Sequence, residues 1–292
     1  MVLINSCREK PEQLKLLYSK TLEFPSASAI EFHQNKLYVL GDDAPYLLIL
    51  DTAYQLIDSV RYIHTDTGRL TKDTKPDVES CFIFPNGDQP NLLAIGSMSS
   101  DKRFNNFVFP LDGQKHVESY PLFSPGITFP SIEQVNIEGS AVVNGTFILS
   151  NRATDLTKRN HLLVCHKKDS ITAIPVRLDT EKDIIGISGL YYLANKNILF
   201  FTGSVEHTSD PMLDGPIGES YLGWIDDLSK KMNSKEIAPD KLMKLSTVDK
   251  EFSGQKVESV CVEQTNNKII FHLVADNDDG RSKIFKLGGF NK

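Results

Sequence analysis

The sequence predicts an all-β fold, a five-bladed β-propeller of four-stranded antiparallel blades, and three observations carry that expectation. Apolar runs rich in Val, Ile, Leu, Phe and Tyr recur along the chain, separated by turn residues. Five of these runs open with a small cluster of Glu, Ser, Gly or Ala, at Ser28-Ala29-Ile30, Glu79-Ser80-Cys81, Glu138-Gly139-Ser140, Ser188-Gly189-Leu190 and Glu258-Ser259-Val260. Recurrence at roughly 50 to 70 residues marks a repeat architecture. The last repeat is one strand short, while an isolated strand stands near the N-terminus. A ring closed by pairing the two chain ends accounts for both. Six blades is the alternative count; two packed sandwiches would not need the extra strand.

The elements follow in order. Residues 14–22, Leu14-Lys15-Leu16-Leu17-Tyr18-Ser19-Lys20-Thr21-Leu22, form the isolated strand. The first repeat reads as strands at 28–32, 36–42, 46–52 and 55–63, the second at 79–84, 91–97, 104–111 and 115–122. The third takes 138–143, 146–151, 161–167 and 170–178. The fourth takes 188–193, 197–204 and 220–226, then a polar stretch with helical character at 229–242 and a strand near 243–248. The fifth supplies only 258–263, 268–275 and 282–287. Gln34-Asn35-Lys36, Pro85-Asn86-Gly87-Asp88, Asn144-Gly145, Asn195-Lys196-Asn197 and Asn266-Asn267-Lys268 are hairpin signals, because Asn and Gly tolerate the positive φ that tight turns demand. No linker rich in Gly, Pro or Ser divides the chain, so residues 14–292 read as one propeller domain and 1–13 as a tail.

Composition narrows the partners. The 292 residues are 40% hydrophobic and 24% charged, ordinary for a chain with a full core. A net charge of -6 and a pI near 5.7 argue against nucleic acid, which calls for a basic face. No apolar stretch has the eighteen or so residues of a transmembrane segment, and a monomer is expected. The four cysteines are too scattered for a disulfide framework or a metal knuckle; Cys81, Cys165 and Cys261 read as buried thiols. Cys7, in Val-Leu-Ile-Asn-Ser-Cys-Arg, resembles the end of a shortened bacterial lipoprotein signal. Read as written, the chain is cytoplasmic with a frayed start; with an upstream start, it is an envelope lipoprotein anchored at Cys7.

In a propeller the first strand of each blade lines the central channel, and its start lies beside the end of the second strand. Ser28, Glu79, Glu138, Ser188 and Glu258 are thereby gathered at one channel mouth. Beside them come the second-strand ends: Asp42 and Asp43, Ser97 and Ser99, Asn151 and Arg152, Ser204 and Glu206, Asp276. The loops that follow add Arg103 and His207. Three converging glutamates must share protons, meet arginines or bind a cation. Oxygen donors suit calcium or magnesium better than zinc. Glu79, Glu138 and Glu258 are therefore candidate metal ligands, with Asp210 and Asp214 of the long 204–220 loop able to complete a calcium site. Alternatively the glutamates hold neighbouring blades together, or act as acid and base. Arg103, Arg152, Ser28, Ser188, Asp42, Asp43, Glu206 and His207 are candidate contacts for a small or anionic ligand. No Gly-x-Ser-x-Gly elbow, His-Glu-x-x-His pair or phosphate-binding Gly-rich loop occurs.

Ile137-Glu138-Gly139-Ser140-Ala141, Val257-Glu258-Ser259-Val260 and the ending Leu149-Ser150-Asn151-Arg152 resemble the bacterial phytase-like esterase and SdiA-regulated propellers. The segment from Ser204 to Gly223, with Asp214-Gly215 and Gly218-Glu219-Ser220, resembles an uncharacterised bacterial propeller family close to them. The resemblance implies a propeller, and with it ester or phosphoester hydrolysis. Serine replaces the glutamate at positions 28 and 188, so the site is not symmetric. The expected function is an acidic channel mouth that binds a metal ion or small ligand and, if it is an enzyme, carries out metal-assisted ester or phosphoester hydrolysis. The competing class is a non-catalytic interaction scaffold, since propellers host unrelated activities.

Overall fold

Alternating apolar residues and Asn- or Gly-led turns fold this chain into five separate four-stranded antiparallel sheets. They are seen in a computed structural model that describes residues 14–86, 89–113, 115–124, 126–154, 157–167, 169–178, 183–206, 216–265, 268–277 and 280–290. Strand β1 (Lys15–Leu22) comes first and waits for the last blade. The first blade is β2 (Ala27–His33), β3 (Lys36–Gly41), β4 (Tyr46–Asp51) and β5 (Leu56–Arg61). The second is β6 (Val78–Asn86), β7 (Gln89–Gly96), β8 (Asn106–Pro110) and β9 (Glu118–Ser119). The third is β10 (Ile137–Val143), β11 (Thr146–Asn151), β12 (Asn160–Lys167) and β13 (Ser170–Val176). The fourth is β14 (Ile185–Leu193), β15 (Ile198–Glu206), β16 (Ile217–Ile225) and β17 (Lys241–Lys244). The fifth is β18 (Lys256–Thr265), β19 (Lys268–Asp276), β20 (Ser282–Phe290) and, returning from the N-terminus, β1. Lys15 lies opposite Gly288 and Leu22 opposite Ser282, so the chain ends share one sheet as the strand count requires.

The turns obey their residues. Gln34 and Asn35 take φ of 47° and 61°, and Asn144 and Gly145 take 51° and 80°, the paired positive values of a hairpin turn whose twist matches its strands. Three outer elements are shorter than the sequence suggests. Blade two's last strand is only Glu118–Ser119, because Pro121 lacks the N–H a longer ladder needs. The polar stretch at 229–242 keeps a single helical turn, α1 (Leu228–Lys231). The strand expected near 243–248 ends at Lys244, where Leu245 turns inward to a fully buried position in a 3₁₀ turn. Among the described residues no helix is long and apolar enough to cross a membrane.

The core is five slabs rather than one, each lying between neighbouring blades. Alternation within a strand sends successive residues to opposite slabs. Leu37 and Val39 of β3 pack toward blade five, whereas Tyr38 and Leu40 pack toward blade two. Likewise Leu199 and Phe201 of β15 join the slab with blade three, and Ile198 and Phe200 join the slab with blade five. Strands apolar on both faces follow from this geometry. Trp224 sits in the slab between blades four and five, edge-on to Phe290 at 5.1 Å between ring centres.

Candidate functional site

Each innermost strand carries a β-bulge within its first four residues. Pairing jumps from Ala27 to Ala29, from Val78 to Ser80, from Ile137 to Gly139, from Ile187 to Gly189 and from Val257 to Ser259. The residues left unpaired are Ser28, Glu79, Glu138, Ser188 and Glu258, the five strand openings of the sequence repeat. A bulge re-aims a side chain and increases local twist. Five copies of it therefore place these positions around one channel mouth. Ser28, Glu79, Glu138 and Glu258 line a single cavity of about 840 Å³, including its open mouth.

The same cavity is lined by a second ring that the sequence reading missed. Ser26, Asp77, Asn136, Gly186 and Lys256 each lie two residues before a bulged position and also face the mouth. A period-two step outward from the strand openings was the signal that could have found them. Lys75 joins them from the segment before β6.

One side of the mouth is an ion-pair network built on two cations, the buried Arg152 and the half-buried Lys256. Arg152 Nη1 approaches Glu138 Oε2 at 3.1 Å and Glu258 Oε2 at 3.8 Å; its Nη2 donates to Glu206 Oε2 at 3.0 Å and to Ser204 Oγ at 3.0 Å. Lys256 Nζ lies 3.0 Å from Glu258 Oε1 and 3.4 Å from Glu206 Oε2. Asn136 Nδ2 donates to the other oxygen of Glu138 at 2.7 Å. Burial pushes the Glu138 carboxyl above the usual carboxylate range, and Arg152 pulls it partly back. Burial would lower the Arg152 and Lys256 cations, but the surrounding carboxylates outweigh it and hold both above their ordinary values. Gly186 gives Arg152 its room: a Cβ there would meet Arg152 Nε at 2.5 Å.

The other side is arranged around Glu79. Lys75 pairs with Asp42 and, at 2.8 Å, with Asp77 Oδ1, while Arg103 Nη1 meets Asp77 Oδ2 at 2.8 Å and Ser99 Oγ at 3.1 Å. Asp42, Asp77 and Glu79 can each place a carboxylate oxygen within 4.8 Å of the others. Glu79 accepts no hydrogen bond and makes no ion pair among the described residues, unlike Asp42, Asp77, Glu138, Glu206 and Glu258. Burial raises its carboxyl well above the usual range, and the charges of Glu138, Asp77 and Asp42 add to the rise against a smaller pull from Lys75.

The remaining expected contacts divide. Ser28 and Ser188 donate to the carbonyls of Val78 and Val257 and so join adjacent blades. Asp43 pairs with Arg69 beside the mouth. His207, Asp210 and Asp214, and the tail with Cys7, lie outside the described residues. Cys81 and Cys261 are buried free thiols, and burial pushes the Cys165 thiol up to about 12.

A family of unknown function, DUF6929, matches residues 23–288. The chain belongs to that family. Among curated proteins there is no match. Of solved structures, this DUF6929 protein is similar to a glutaminyl cyclase of Myxococcus xanthus, at 13% identity and a TM-score of 0.51 over 94% of this chain and 95% of that one. A DUF4221 member from Bacteroides vulgatus aligns at 12% identity and a TM-score of 0.44, over 97% of this chain and 100% of its own. A putative exported protein of Bacteroides fragilis aligns at 10% and 0.44, over 98% and 97%. The first likeness is one of fold alone and the others carry no argument. The family match is to DUF6929, and the phytase-like esterase and SdiA-regulated names gain no support from these relatives.

Proposed function

We propose that the channel mouth of this DUF6929 protein binds a hard divalent cation, calcium being the ion its donors suit, with Glu79 as the central ligand and Asp42 and Asp77 beside it. One observation carries the reading: Glu79 is aimed by its bulge into the cavity, surrounded by carboxylates, and has no partner of its own among the described residues. A half-buried carboxyl left so, among other carboxylates, is costly unless something positive meets it. Three oxygen donors of this spacing fit calcium rather than a softer metal. Lys75, which now shares Asp42 and Asp77, would swing aside, since two charges replace its one. Glu138 and Glu258, the other expected ligands, are held by Arg152 and Lys256 and serve better as the frame of the mouth.

If the site is enzymatic, the cation would polarise a carboxylate or phosphate ester for hydrolysis. The ion pairs already formed by Arg103 and Arg152 favour the plainer alternative of binding without turnover, because an anionic substrate would have to displace carboxylates from both. Thermal unfolding with and without calcium tests the reading. Calcium at about a hundredfold over its Kd should stabilise the wild type by about 2.7 kcal/mol and leave Glu79→Gln unmoved. No response of the wild type at millimolar calcium would end it. An ester screen with and without calcium, repeated on Glu79→Gln and Glu138→Gln, decides turnover; equal rates in all three proteins would remove both glutamates from any mechanism.

A further inference from the structure

The opposite end of the channel holds a second cavity, of about 560 Å³ including its mouth. It is lined by the far ends of four inner strands, and among the described residues it contains a carboxyl but no lysine or arginine: Glu31 and His33 come from β2, Ser140 from β10, Phe82 from β6, and Tyr191 and Tyr192 from β14. Glu31 is only 8% exposed, and its one hydrogen bond among the described residues comes from the adjacent Phe32 N–H at 2.8 Å. Ser140 is 2% exposed, and its hydroxyl oxygen has no hydrogen-bond partner among the described residues; neither has the buried Nε2 of His33. Unmet polar atoms around a cavity are expensive, and they mark where a ligand's complementary groups belong.

We infer that this far end is a second binding site, for the ammonium group of a small primary amine, with Glu31 as its counter-ion. Three acceptors, the Glu31 carboxylate, Ser140 Oγ and His33 Nε2, line the cavity, and a primary ammonium brings three N–H donors. The rings of Phe82, Tyr191 and Tyr192 offer an apolar and cation-tolerant wall for the carbon chain. A single carboxylate is too few hard ligands for calcium. The groups around Glu31 are compatible with this role. Cys81 of β6, Tyr191 of β14 and Cys261 of β18 all lie near its charge and are held neutral by burial, as is His33, whose ring burial and Lys36 both lower. Burial also raises Glu31 to about 8. Receiving an ammonium therefore releases a proton near neutrality, and apparent affinity should climb about tenfold between pH 7 and pH 9 as the ionised fraction grows.

The test is a titration of the full chain, followed by amide ¹H–¹⁵N spectra, with n-butylammonium and in parallel with n-butanol. Butylammonium should give saturable shifts at Glu31, Ser140 and Tyr192, at least about tenfold weaker in Glu31→Gln and unchanged in Glu79→Gln, which separates this end from the mouth. A blocked Ala-Lys-Ala peptide in the same titration distinguishes a free amine from a lysine side chain, since both carry the group. Should Glu31→Gln fail to fold, Val142→Trp fills the cavity while keeping the charge and should abolish the shifts. No saturable shift in the wild type up to about 50 mM, an equal response to butanol, or Glu31→Gln binding like wild type would overturn the proposal.

Discussion

Arg152 shows how much one side chain can carry. It is 5% exposed and touches Glu138, Glu206 and Glu258 together. Removing a buried cation leaves its carboxylates uncompensated, a larger loss than the pair was worth. Arg152→Met should therefore cost about 3–5 kcal/mol in chemical denaturation, and adding Glu138→Gln should recover part of it. Glu31 makes the opposite point, because among the described residues no cation pairs with it. An unfolded glutamate ionises near 4.5, whereas burial delays the native group to about 8. The native state thus keeps a proton that the unfolded chain has released, so stability is full below about 4.5 and drains as pH rises through 8. The loss at pH 9 is on the order of 4 kcal/mol, and Glu31→Gln should flatten that slope in unfolding curves taken from pH 5 to 9. A wild type whose stability holds level over that range would contradict it.

At the scale of the element, the repeated bulge is the device that makes a site. Without the extra residue, strand alternation would carry Glu79, Glu138 and Glu258 away from the mouth. Glycine lets neighbouring elements close in. A Cβ at Gly189 would lie 2.7 Å from Ser259 Cα, and one at Gly186 would strike Arg152. Gly186→Ala should displace the Arg152 side chain and cost about 1–3 kcal/mol by overpacking, read as a lower Tm. Unchanged stability, with Arg152 still meeting Glu206, would show that the strand can give way. The short outer elements behave differently. Glu118–Ser119 and Lys241–Lys244 are outermost strands with water on one side, and there Pro121 and Leu245 outweighed the local strand pattern.

For the whole molecule, the seam between blades five and one carries the closure. β1 completes the last sheet, and Tyr54, on the first blade, hydrogen-bonds His272 Nδ1 at 2.9 Å while the ring's Nε2 meets Glu263 at 3.0 Å. Lys20 and Lys286 reach the carbonyls of Tyr54 and Thr52 across the same joint. Deleting residues 1–22 should open the ring, lower the Tm by well over about 5 °C and broaden the transition, as measured by calorimetry. A truncated chain that unfolds as sharply as the full one would mean that the five slabs alone hold the disc.

The fold was legible because its signals are local. Alternation, turn asparagines and the bulged openings are written in short windows, and counting them yields five blades and a shared terminal sheet. The gathering of Glu79, Glu138 and Glu258 at one mouth follows from the same repeat. What met each glutamate was not legible. Arg152 reaches across to carboxylates on β10, β15 and β18, and Lys256 closes on two of them, whereas Glu79 is left without a partner among the described residues. Those choices depend on how far neighbouring blades twist and how closely glycine lets them approach. A charge is satisfied by whatever stands within a few ångströms, and only the closed ring decides what that is.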